Sequence, residues 1–159
     1  MKLIPKARIE LNTKLSKSEV HQILQKNTLA KVSFTQKLNN IYFEGIVNDD
    51  NFKIERVVYR KSFVPILIGK LESDADKTKV FIDFKIRNST LAFVIGSLAF
   101  VFFIFIMSII GIMTQKTNPF LLIIPVALFS FIFILMNTTF EGEKIRVTDY
   151  LKKILQISK

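Results

Sequence analysis

Residues 91–113 read LAFVIGSLAFVFFIFIMSIIGIM, and residues 120–136 read FLLIIPVALFSFIFILM. Neither stretch holds a charged residue, and only Thr114, Gln115, Lys116, Thr117, Asn118 and Pro119 separate them. A hydrocarbon layer about 30 Å thick takes ~20 apolar residues to cross as a helix rising ~1.5 Å per residue. The first stretch makes roughly 35 Å of helix, enough to span with tilt, and the second roughly 26 Å, near the short limit. Lipid offers no partner for backbone N–H and C=O groups, so an apolar segment of this length satisfies them internally, as a helix. The two stretches predict a transmembrane helical hairpin. Pro125 removes a backbone donor inside the second stretch and predicts a kink there. Ala92 and Gly96, Ser108 and Gly111, and Ala127 and Ser130 are small residues spaced to let the two helices approach closely.

The spans carry no Asp, Glu, His, Lys or Arg. Pumps and carriers place such groups at membrane depth, so the pattern argues against a self-contained transporter. The chain has 159 residues, half of them apolar. With the hairpin set aside, roughly 110 residues remain, sufficient for one small domain with its own core. There is no cysteine, hence no disulfide framework or thiolate chemistry. Lys2 is not followed by an apolar run, so no signal peptide is expected and the hairpin itself would direct insertion. The net charge is +10. Lys77, Lys79, Lys85 and Arg87 precede the first span, Lys144, Arg146, Lys152 and Lys153 follow the second, and only Lys116 lies between them. The positive-inside bias places both termini in the cytoplasm of a cell inner membrane and the turn outside.

Before the hairpin the period changes from helical to two. Ala7, Ile9 and Leu11 alternate with Arg8, Glu10 and Asn12, a strand with one buried face. Ser16 and Glu19 have capping-box spacing, with Leu15 as a staple, and Val20, Ile23 and Leu24 continue a helix that Asn27 stops. Short β signals follow over residues 31–36, 41–47, 52–59 and 66–72, separated by Asn39-Asn40, by Asn48-Asp-Asp-Asn51 and by a turn at residues 73–76. Val80, Ile82, Phe84 and Ile86 alternate cleanly with polar neighbours and form the strongest strand signal. After the hairpin, Thr139 caps a second amphipathic helix through Ile145, Leu151, Ile154 and Leu155, with Gly142 weakening its first turn.

The expected fold is an α+β membrane protein. An antiparallel β-meander carries an N-terminal and a C-terminal helix, and the transmembrane helical hairpin is inserted before the C-terminal helix. Residues 1–89 make a cytoplasmic α+β domain, 90–137 the hairpin, and 138–159 a cytoplasmic helix that packs on the face of Val80, Ile82 and Phe84.

Candidate sites are sparse. His21 is the single histidine and lacks a metal-ligand or nucleophile pattern around it. Asp49, Asp50, Asp74 and Asp76 sit in turns, where their side chains bond the backbone, and no EF-hand spacing accompanies them. Glu141 and Glu143 near a helix start suit the helix dipole better than paired-carboxylate catalysis. There is no glycine-rich phosphate loop. Arg56, Arg60, Lys61 and Lys70, interleaved with Tyr59 and Phe63, form the one suggestive cluster. In a domain tethered at the inner leaflet the nearest polyanion is lipid, so these four are the expected anionic-surface contacts. Lys85 and Arg87 read as topology anchors.

Phe43-Glu-Gly45-Ile-Val47, Phe52-Lys-Ile54, Tyr59-Arg-Lys-Ser62-Phe63-Val-Pro65 and Gly69, followed by two spans, resemble a group of small bacterial proteins with two transmembrane helices and a β-rich cytoplasmic domain. The resemblance covers roughly residue 41 to the end and implies no activity and no catalytic residues. The order strand, helix, meander, helix is similar in layout to helix-grip and pleckstrin-homology-like domains, a likeness of fold that does not carry function. The expected function is that of a non-enzymatic integral membrane protein whose small cytoplasmic domain binds a protein partner or anionic lipid. The alternatives are a lipid or small apolar ligand-binding module, or an accessory subunit of a larger membrane complex. No cofactor, no metal and no nucleic acid are expected.

Overall fold

Strand pairing follows from the alternation read above. The computed structural model of the chain describes residues 4–30, 42–58, 64–74, 77–114 and 118–157. Its strands are β1 (Lys6–Thr13), β2 (Thr28–Leu29), β3 (Phe43–Val47), β4 (Asn51–Arg56), β5 (Ile66–Asp74) and β6 (Lys77–Lys85), and its α-helices are α1 (Lys17–Lys26), α2 (Asn88–Met113) and α3 (Ile123–Ile154). They make an α+β fold with one six-stranded sheet in the order β1-β6-β5-β4-β3-β2. The expected strand at residues 31–36 lies outside the described residues.

The meander β3 to β6 is antiparallel, and β1 closes antiparallel onto β6, with Ile9 opposite Ile82 and Leu11 opposite Val80. The antiparallel meander was expected; the two-residue β2 that precedes it was not, and it runs parallel to β3. It leaves α1 directly after Asn27, whose carbonyl accepts from the Phe43 N–H at 3.0 Å, so the helix exit fixes its direction. Helix α1 begins with the capping box of Ser16 and Glu19 and ends at Asn27, as read from its spacing.

One sheet face is mainly apolar. Leu11, Phe43, Phe52, Ile54, Leu67, Leu71, Val80, Ile82 and Phe84 are buried there against Val20 and Leu24 of α1 and Phe140, Val147 and Leu151 of α3, with Leu155 just beyond it. The Cα of Gly69 faces the Phe52 ring so closely that an added Cβ would lie 2.0 Å from it, so glycine makes the room that ring occupies. The opposite face carries Lys6, Arg8, Asp83 and Lys70, which is the polar half of the period-two pattern.

The C-terminal helix differs from expectation in one respect that matters. No second helix begins near Thr139; α3 is a single helix of 32 residues from Ile123 to Ile154. Asn137 and Thr138, which look like capping residues, bond back into the helix: Asn137 Nδ2 donates to Phe133 O and Thr138 Oγ1 to Ile134 O, both at 2.9 Å. Tertiary packing offsets the weak propensity of Gly142. A stripe of Pro125, Ile132, Met136, Phe140, Glu143, Val147, Leu151 and Leu155 keeps one face of α3 against its neighbours from end to end. Pro125 falls in the first turn of α3, after a 3₁₀ turn at Pro119–Leu122, so the anticipated mid-span kink is replaced by a helix start. Nor do all the small residues mark the helix contact. An added Cβ on Gly96 would meet nothing within 4 Å, and α2 instead buries Val94 and Val101.

Gly142 is likewise open on all sides, with no atom within 4 Å of an added Cβ. Gly142→Ala is expected to stabilise the protein by about 1 kcal/mol through helix propensity alone. A rise in the thermal midpoint of the detergent-solubilised protein checks this; a fall would mean the helix is broken at that position.

Candidate functional site

The sheet register gathers one end of every long strand toward the hairpin. Lys6 of β1 stands opposite Lys85 of β6, Lys85 opposite Ile66 of β5, Ile66 opposite Glu55 of β4, and Arg56 opposite Phe43 of β3. Only Ile86 and Arg87 separate β6 from α2. This end of the domain therefore meets the apolar helices, and it holds most of the chemistry the described residues offer.

Two ionic contacts tie it together. Arg87, at the cap of α2, donates to both carboxylate oxygens of Glu55. Arg56 donates Nε to Glu143 Oε2 at 2.7 Å and Nη2 to Oε1 at 2.8 Å, a bidentate pair in which the Glu143 side chain is 8% exposed. Arg146, one turn further along α3, adds a contact of 3.2 Å to the same carboxylate. A planar guanidinium matches a carboxylate in this fork geometry, which fixes orientation as well as charge. Farther along α3, Tyr150 stacks on Tyr42 with ring centroids 3.7 Å apart and donates its hydroxyl to Asn27 Oδ1 at 2.8 Å. Burial, and then the neighbouring Tyr42, push the Tyr150 phenol above its usual range.

The four residues read as anionic-surface contacts divide. Arg56 is on the packed face, engaged with Glu143. Lys70 is on the opposite face, held by Glu72 at 2.7 Å and raised by that contact. Arg60 and Lys61 lie outside the described residues. The two that can be placed are thus on different sides of one sheet. Their alternation was visible in sequence, since Arg56 shares parity with Phe52 and Ile54, whereas Lys70 shares parity with Ile68.

The structure brings a different basic group together. A groove of about 550 Å³ opens between the start of β1 and the point where α3 passes from its apolar to its charged half, lined by Lys6, Arg8, Asn137, Thr138, Glu141 and Lys144. Arg8 is forked onto Asp83 at 2.6 and 2.9 Å, which holds the Asp83 carboxyl below its usual range, and Lys144 pairs with Glu141. Lys6 makes no ion pair among the described residues. No periodicity argument finds this groove, because its β1 and α3 residues are more than 120 positions apart in the chain; only the antiparallel docking of β1 on β6 places Lys6 beside α3.

A second space, about 240 Å³ and lined by Leu98, Val101, Phe105, Pro125 and Phe129, lies between α2 and α3 and is almost wholly apolar. Among the described residues no three His, Cys, Asp or Glu side chains gather to hold a metal ion. His21 stands 3.8 Å from the exposed Asp49. No family model, curated protein or solved structure matches the chain.

Proposed function

We propose that this is a non-enzymatic integral membrane protein whose small domain, held at the cytoplasmic face of the inner membrane, binds a protein partner or anionic lipid there. Helix α3 carries the reading. Its first half, with α2, exposes large apolar side chains such as Phe93, Phe100, Phe102, Phe103 and Phe131, each at least 59% exposed, while its second half is the core helix of the sheet. Two helices in the structure are long and apolar enough to cross a membrane, with 11% of each apolar window buried. Water does not tolerate contiguous apolar surface of that extent, and lipid does. One rigid element then sets the height and rotation of the domain over the bilayer. The space between sheet and α3 is filled by Phe43, Phe52, Phe84, Phe140 and Leu151, which favours a partner-binding surface over an enclosed ligand site.

The absence of cysteine makes the test direct. Thr114→Cys at the end of α2 is expected to react with a membrane-impermeant maleimide on intact cells, and Ser18→Cys on α1 only after permeabilisation. The reverse pattern would overturn the orientation, and release by alkaline carbonate would overturn the membrane reading. A gentle-detergent pull-down should then carry either one protein in stoichiometric amount or an anionic lipid enriched over bulk membrane; recovery of neither would defeat the binding proposal.

A further inference from the structure

We infer that the groove between the start of β1 and the emergence of α3 is a binding site for the phosphate headgroup of an anionic phospholipid. The inference rests on the membrane reading above and names a site within it. Depth is the first argument. Asn137 and Thr138 directly follow the last apolar residue of the second span, Met136, and they line the groove. Lys144 lies seven positions beyond Asn137, roughly 10 Å along a helix. The polar headgroup layer occupies about 5–8 Å on each side of the hydrocarbon. A lysine stem reaches back over such a distance to bring its ammonium to phosphate level.

Charge is the second argument. Lys6 and Lys85 are directly opposite one another on β1 and β6, and neither makes an ion pair among the described residues. Like charges at this spacing oppose the pairing that carries them unless an anion lies near both. The carboxylate that acts on Lys85 is Asp83, and Arg8 already holds it in a fork. The second lysine in the groove, Lys144, pairs with Glu141, whose side chain is 53% exposed. In the groove an incoming phosphate would meet Lys6 and Lys144 against the single carboxylate of Glu141, with Arg8 already neutralised by Asp83. Anchoring through Lys6 and Lys144 would also clasp β1 to α3 at the bilayer, adding a ligand-dependent contact where the sheet edge is otherwise open.

The full-length protein, reconstituted in phosphatidylcholine vesicles containing one-tenth phosphatidylglycerol, tests the site. After extraction in mild detergent, phosphatidylglycerol is expected to be retained in preference to phosphatidylcholine. Lys6→Glu combined with Lys144→Glu should lower that retention by about tenfold or more, since each basic residue near an anionic headgroup contributes on the order of 1 kcal/mol. A charge-matched control, Lys26→Glu with Lys77→Glu, should retain the lipid as the parent does. Should the double variant fail to fold, Lys6→Gln alone is expected to reduce retention severalfold. Equal retention by parent and groove variants overturns the site. So does binding of inorganic phosphate without lipid, or capture of a protein at this edge with no lipid enrichment. Failure to float with the vesicles is a separate result, seen before any lipid is counted, and it removes the membrane reading together with the site.

Discussion

Gly45→Ala is expected to destabilise the sheet domain by about 3 kcal/mol or more, the combined scale of holding a non-glycine residue in a glycine-only backbone region and of overpacking a filled space. Gly45 lies in β3 at φ +145°, where side chains are rarely accommodated. A Cβ built there would sit 2.1 Å from the Lys53 carbonyl oxygen and 2.8 Å from the Ile54 Cα of the paired strand. Both obstacles are backbone, so no rotamer change relieves them. The strand must move, and it carries Phe43, which is fully buried. Thermal unfolding followed by far-UV circular dichroism in detergent measures the loss. The helical signal of α2 and of the apolar half of α3 should persist after the sheet signal is gone. A variant that melts with the parent would show that β3 does not hold this register against β4. Gly142→Ala makes the opposite change in the same protein, which separates the effect of geometry from the effect of losing a glycine.

Most of the sheet was legible because its face toward the helices is apolar and its other face is not. Val80, Ile82 and Phe84 could only be placed one way, and the turn at Asn48–Asn51 fixed how β3 returns as β4. Helix α1 declared both its ends, in the Ser16 and Glu19 cap and in Asn27. The course of α3 was not legible from local rules. Asn137, Thr138, Thr139 and Gly142 look like a helix boundary when judged by propensity, and they are overruled by contacts with strands far away in sequence. One signal did cross that boundary: Ile132, Met136, Phe140, Glu143, Val147 and Leu151 recur at steps of three and four without a phase shift. The candidate site was less legible still. A run of basic residues in sequence says little about a surface when alternate positions of a strand face opposite ways, and Arg56 and Lys70 part for that reason.

Glu143→Ala is expected to cost about 2–4 kcal/mol, somewhat below the roughly 3–5 of a fully enclosed pair, because Arg56 keeps 21% of its side-chain surface in water. The loss comes mainly from what stays behind, a guanidinium pressed between β4 and α3 with no carboxylate to receive its two N–H groups. Replacing both partners with leucine should cost far less than either single replacement, since an apolar pair of similar bulk suits the surrounding side chains. The comparison isolates what the ion pair supplies. If its role were strength, the leucine pair would be the poorer protein. If its role is register, the leucine pair will be stable yet less strictly positioned, because a helix sliding by one residue turns its face by about 100° and only a forked, directional contact resists that. Helix α3 has particular need of such a pin. Its apolar half meets α2 through interchangeable side chains, which set its position loosely, while Glu143 meets Arg56 on β4 in a fork and Arg146 within its own helix. A double-mutant cycle on Arg56 and Glu143, read by thermal unfolding, should give a coupling well above 1 kcal/mol. A coupling of a few tenths, the scale of an exposed pair, would remove Glu143 from the account of how the hairpin orients the domain.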